Sequence, residues 1–171
     1  MTSFLVLALA AAFAGLVLTG AVRDLISYRI PNWIPFAILG LFPVAGLAAG
    51  LSLPTFGMHA AIGAAVLVAA MGMFAMNWVG GGDAKMFAAV AFWMGWPAVM
   101  DFLLWTAISG GVLAVGLLSL RSPALRPVIL GGPPWLAKLS EPGGASPYGV
   151  AIAFGALMAL PESPLLTTLA L

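Results

Sequence analysis

Residues 3–22 read SFLVLALAAAFAGLVLTGAV, and residues 23–32 continue RDLISYRIPN. The first stretch carries no charge over about 30 Å of helix, enough to cross the hydrocarbon core of a bilayer. The second places Arg23, Asp24 and Arg29 where that helix should leave the lipid. No Lys or Arg precedes the apolar run. The basic flank of a secretory signal is therefore missing, and the run reads as a retained first helix.

The remainder repeats this pattern. Of 171 residues, 63% are hydrophobic and 6% charged, with a mean hydropathy of +1.16. A soluble domain needs about 25% charged residues to cover its surface, so lipid is the main solvent here. Polar or helix-breaking stretches divide the chain into further helices. Helix 2 covers about Trp33–Leu51, N-capped by Asn32 with Pro35 in its first turn. Helix 3 covers about Ala60–Val79, helix 4 about Ala84–Trp96 (short for a full span), and helix 5 about Ala98–Leu120. Helix 6 starts near Tyr148 and reaches Leu160 or beyond. The Pro- and Gly-rich segment Arg121–Pro147 is the longest loop and a candidate gate. The expectation is an all-α polytopic membrane protein of about six transmembrane helices, with residues 1–171 forming one membrane-embedded domain.

Charge placement sets the orientation. With six helices, Arg23, Arg29, Lys85, Arg121, Arg126 and Lys138 all fall in loops 1–2, 3–4 and 5–6. Random sorting gives this about one time in thirty. Basic loops stay cytoplasmic, which puts both termini outside.

The chemistry available is narrow. There is no cysteine, and His59 is the single histidine. Thiol nucleophiles, disulfides and multi-histidine metal sites are excluded, and the reading is of no metal and no cofactor. Asp24 follows helix 1 and Asp83 follows helix 3, so both emerge on the same face. Packed helices lie 8–10 Å apart, within reach of a carboxylate pair. Two carboxyls in a partly dry site share a proton. One then works as base on water and the other as acid on a peptide carbonyl. Gly80, Gly81 and Gly82 permit unusual backbone conformations beside Asp83 and close approach of an extended substrate strand. Lys85, two residues on, is expected to lower the Asp83 pKa.

The blander alternative makes the glycines a C-cap of helix 3 and Asp83 an N-cap of helix 4. Asp24 would then be an interfacial charge paired with Arg23 or Arg29. Asp101 reads as interfacial, His59 as solvated on an outer turn, and Glu141 and Glu162 as loop charges. The tryptophans sit mostly near helix ends as an aromatic belt, and the methionines read as packing.

Gly80-Gly81-Gly82-Asp83 matches the GxGD signature of membrane aspartyl proteases. Asp24-Leu25-Ile26-Ser27-Tyr28-Arg29-Ile30-Pro31-Asn32 resembles the first-aspartate motif of type IV prepilin peptidases. Lys85 fits that family's Gly-Asp-x-Lys continuation, and Pro147-Tyr148-Gly149 resembles its Pro-Tyr-Gly segment. The resemblance implies a bacterial inner-membrane endopeptidase that clips the basic leader from prepilins at the cytoplasmic face. Asp24 and Asp83 would be catalytic, with Gly80, Gly81, Gly82, Lys85 and Tyr148 shaping the site. The absence of cysteine and the small size look like the compact Flp/Tad-type enzymes, without the Cys-rich insert or N-methyltransferase activity. An archaeal-type preflagellin peptidase is similar. The partners implied are a prepilin with a basic leader and an apolar helix, membrane lipid and pilus assembly machinery, with no nucleic acid. Two readings outside this class are a transporter, which places carboxylates near the bilayer midplane, and a non-catalytic assembly protein.

Overall fold

A computed structural model describes residues 2–122 and 146–168. Their elements are all helical: α1 (Thr2–Ser27), α2 (Trp33–Ala48), α3 (Leu53–Ala75), α4 (Gly81–Met94), α5 (Ala98–Leu120) and α6 (Gly149–Ala159). A 3-10 turn (Leu160–Glu162) and the one-turn α7 (Pro164–Thr167) continue from α6. Four stretches are long and apolar enough to cross a membrane: α1, α3, α5 and the run Gly149–Thr167. The chain is a multi-pass membrane protein. The greater part of the Arg121–Pro147 loop, with Arg126, Lys138 and Glu141, lies outside the described residues.

The boundaries differ from expectation for local reasons. Helix 1 runs past Val22 to Ser27, so Asp24 is inside its last turn and not beyond it. It stops at Tyr28, whose φ of 52° is left-handed. Helix 3 begins seven residues early because the Ser52 hydroxyl accepts from the Thr55 N–H at 3.4 Å and Pro54 sits in the first turn. It ends before Val79 in a Schellman motif. Asn77 takes the left-handed position (φ 59°), and the Trp78 and Asn77 N–H groups donate to the Met73 and Phe74 carbonyls, each at 2.9 Å. The three glycines therefore do not cap α3. Gly80 is the N-cap of α4, and Gly81 opens it.

α4 is the centre of the bundle. It packs against α2, α3, α5 and α6, while α1 packs on α2 and α6. Met86, Ala89, Val90, Ala91, Trp93 and Met94 are buried and form its core-facing side, while Ala84, Lys85 and Ala88 line an open groove. Fourteen residues make about 21 Å of helix, less than the bilayer core. Neighbouring helices cover most of it. Trp93 stacks on Phe13 of α1 with centroids 4.5 Å apart and planes 15° apart. Phe42 of α2 meets Trp93 and Phe92 edge-on. Trp93 is thus core, not belt, whereas Trp33, Trp78 and Trp96 are exposed near helix ends.

His59 also departs from its expected place. It is fully buried, because α3 begins early enough to carry it inside the helix. Its Nδ1 donates to the Phe92 carbonyl at 2.7 Å, and its ring lies 4.5 Å from that of Phe42. That ring covers Gly95, which ends α4 with φ +63° and leaves no room for a Cβ. A Gly95→Ala change must strain the backbone and displace the imidazole, at a cost of about 1–3 kcal/mol. The melting temperature in detergent should fall. Gly111→Ala, with open space around it, should leave it unchanged or raise it slightly.

Candidate active site

Two chain segments converge at one end of the bundle. The turn after α1 carries Ile30 back across the N-terminus of α4. A Cβ on Gly82 would lie 3.2 Å from both the Ile30 Cβ and the Ile30 carbonyl oxygen. Ile30 also reaches α6: a Cβ on Gly149 would lie 3.0 Å from its Cδ1. Two glycines thus receive one isoleucine. None of Gly80, Gly81 and Gly82 has a positive φ. They act through the space they vacate, and Gly82 vacates it for the protein's own backbone.

The aspartates arrive from different helices. Asp24 is buried, 3% exposed. The Gly149 N–H donates to its Oδ2 at 2.7 Å. That N–H belongs to the first turn of α6 and has no acceptor within its own helix, so the carboxylate fills the vacancy at the positive end of the helix. The same Gly149 has no space for a side chain, since a Cβ would lie 3.0 Å from the Asp24 Oδ2. Asp83 occupies the third position of α4, and its carboxylate bonds back to the Gly80 backbone. This is half of a capping box. It satisfies the helix terminus but leaves Oδ1 buried without a partner.

Both carboxyls line one cavity of about 480 Å³, walled by residues 23–24, 27–32 and 80–83. Burial first, and then the charge of Asp24, push the Asp83 carboxyl up to about 7, against the pull of the Gly80 hydrogen bond. The lowering expected from Lys85 does not occur. Its Nζ points elsewhere and donates to Asn32 Oδ1 at 3.0 Å. Asn32 precedes α2 but makes no side-chain cap bond; its side chain serves Lys85 instead.

Tyr148 shares with Asp83 a second cavity of about 110 Å³, and its hydroxyl overhangs Gly110 of α5. Asp101 stands in the first turn of α5, and Glu162 is exposed in the 3-10 turn; neither lines the aspartate cavity. Among the described residues, no three His, Asp or Glu side chains gather as a metal site.

Sequence reasoning missed Ile30, Asn32 and Gly149 as parts of the site. The Ile-Pro-Asn and Pro-Tyr-Gly segments were the signal, and they needed the contacts to become readable.

The raised Asp83 value makes a stability prediction. Its folded-state value lies above the ordinary 3.8, so the neutral carboxyl is the form that the fold prefers. The stabilisation is complete below pH 3.8 and is lost as pH rises through about 7. The melting temperature should therefore fall across that interval. Asp83→Asn, which stays neutral, should flatten the dependence; an unaltered slope in the variant would assign it to other groups.

Comparison with known proteins gives one match. The model of the type IV leader peptidase family fits residues 6–115, more than half of the chain and inclusive of both aspartates. No curated protein and no solved structure matches. The chain belongs to the type IV leader peptidase family, whose members are aspartic endopeptidases with prepilin substrates.

Proposed function

We propose that Asp24 and Asp83 are the catalytic pair, and that the chain removes the leader from Flp-type prepilins at the cytoplasmic face of a bacterial inner membrane. The observation that carries this reading is the meeting of both carboxyls in one cavity, from helices α1 and α4.

The residues divide the work as follows. The pair shares one proton, which burial and the charge of Asp24 favour on Asp83. The ionised Asp24 takes a proton from water as that water attacks the scissile carbonyl. Asp83 gives its proton to the carbonyl oxygen, forming a tetrahedral diol. Asp24, now protonated, passes its proton to the leaving nitrogen as the C–N bond breaks, while Asp83 recovers the proton from the diol. Gly149 and Gly80 hold the two carboxyls in place through their N–H groups. Lys85 and Asn32 tie α4 to the start of α2. Tyr148 closes the side of the site nearest α5.

The placement of basic residues supports the cytoplasmic orientation. Arg23 at the end of α1, Arg29 in the turn after it and Lys85 at the start of α4 adjoin the aspartates, and basic residues flanking membrane helices favour the cytoplasmic side. A basic leader would thus be cut on the side where it is held. The site draws Gly149 from beyond the region matched by the family model, which supports reading residues 1–171 as one peptidase domain. The lack of any cysteine in this sequence supports an enzyme without a Cys-rich insert and without methyltransferase activity.

Co-expression with a Flp-type prepilin tests this. Wild type and Asp101→Asn should remove the leader. Asp24→Asn and Asp83→Asn should each lose at least about a thousandfold in rate, as expected when one of a concerted acid–base pair is deleted. Leader removal at wild-type rates by either motif variant would refute the pair.

A further inference from the structure

Beside the aspartate cavity lies a larger, almost wholly apolar groove of about 560 Å³ between α2, α3 and α4. Its floor is small. Ala84 and Ala88 of α4 line it one turn apart, with Ala64 of α3 opposite them, while Gly81 and Gly63 line it beneath the rings of Phe74 and Phe92. Such a floor lets another helix backbone approach closely, which is how helices associate within lipid. Its rim includes Phe36, which is 67% exposed.

The groove and the cavity adjoin at the start of α4. Gly81 lines both. Lys85 lines the groove, and its Nζ is held by Asn32, which lines the cavity. Within one turn of α4 the lining changes from carboxylate and backbone polar groups to hydrocarbon. A chain occupying both must be polar and extended at one end and an apolar helix at the other. The contact along α4 from Gly81 to Phe92 is about 16 Å, or three turns of helix. An acyl tail would fill the volume but would use neither the small-residue floor nor the nearness of the aspartates.

We propose that this groove docks the first three turns of the substrate's membrane helix, with Gly81 as the threshold between helix and scissile bond. The proposal rests on the leader-peptidase reading and names where that substrate binds.

The cysteine-free chain makes a disulfide test clean. Ala64→Cys places a thiol in the groove; Val112→Cys places one on the exposed surface of α5, away from it. Each is combined with Asp83→Asn, so that the substrate stays intact, and co-expressed with prepilins bearing single cysteines in the first turns of the apolar helix. After oxidation in membranes, Ala64→Cys should give about tenfold more adduct than Val112→Cys, because docking raises the local thiol concentration. Excess cysteine-free prepilin should suppress it. Equal yields, or a groove thiol shielded by lipid with no adduct, would overturn the proposal. Cleavage of the same prepilins by the otherwise unaltered chain is read in parallel. Cleavage without groove adducts refutes the groove alone, whereas adducts without cleavage refute the catalytic reading and leave the groove standing.

Discussion

The hydrogen bond from the Gly149 N–H to the Asp24 carboxylate is the constraint on which the rest of the site depends. A carboxylate buried in a membrane protein is expensive unless something nearby answers its charge. Here the answer is the open end of a helix. That bond joins the last turn of α1 to the first turn of α6, and Ile30 packs into the same corner. Asp83 has only a weaker version of this support. Its capping contact with Gly80 leaves one oxygen buried and unanswered. A shared proton relieves the pair, and the same proton is what acid–base hydrolysis requires.

The short central helix follows from the same demand. A helix crossing the whole bilayer would carry its N-terminus to the headgroups. α4, with fourteen residues and helices packed on most of its surface, begins where Asp83 is half-buried. Glycines at its start let the turn after α1 press against it. The far end is held by His59, whose ring sits over Gly95 and whose Nδ1 is bonded to Phe92. Position at one end is thus secured by packing at the other.

Much of this was legible in the sequence, but unevenly. Lipid as solvent and the order of the six main helices followed from apolar runs and breakers, since these signals are local, but only four described stretches are long enough to cross where about six spans were expected. The bringing together of Asp24 and Asp83 followed from parity alone, as each lies after a helix running in the same direction. What misled was chemistry that depends on distant partners. Lys85 adjoins Asp83 in sequence, yet its side chain finds Asn32 across the site. His59 looked like a turn residue until Ser52 and Pro54 started α3 early. The glycine run suggested backbone freedom, but it serves by lacking side chains where Ile30 and Phe74 approach. Gly149 stands 125 residues from Asp24, and no periodicity reports such a contact.

The central claim is that burial and mutual repulsion make the aspartate pair retain a shared proton well above the ordinary carboxylate range. Difference infrared spectroscopy in the carboxylic-acid stretch reads that proton directly, without substrate. The account predicts a protonated carboxyl band that fades as pH rises through about 7 and is missing from Asp83→Asn. A wild-type protein whose carboxyls are all ionised well below neutrality, with no band lost in that variant, would contradict it.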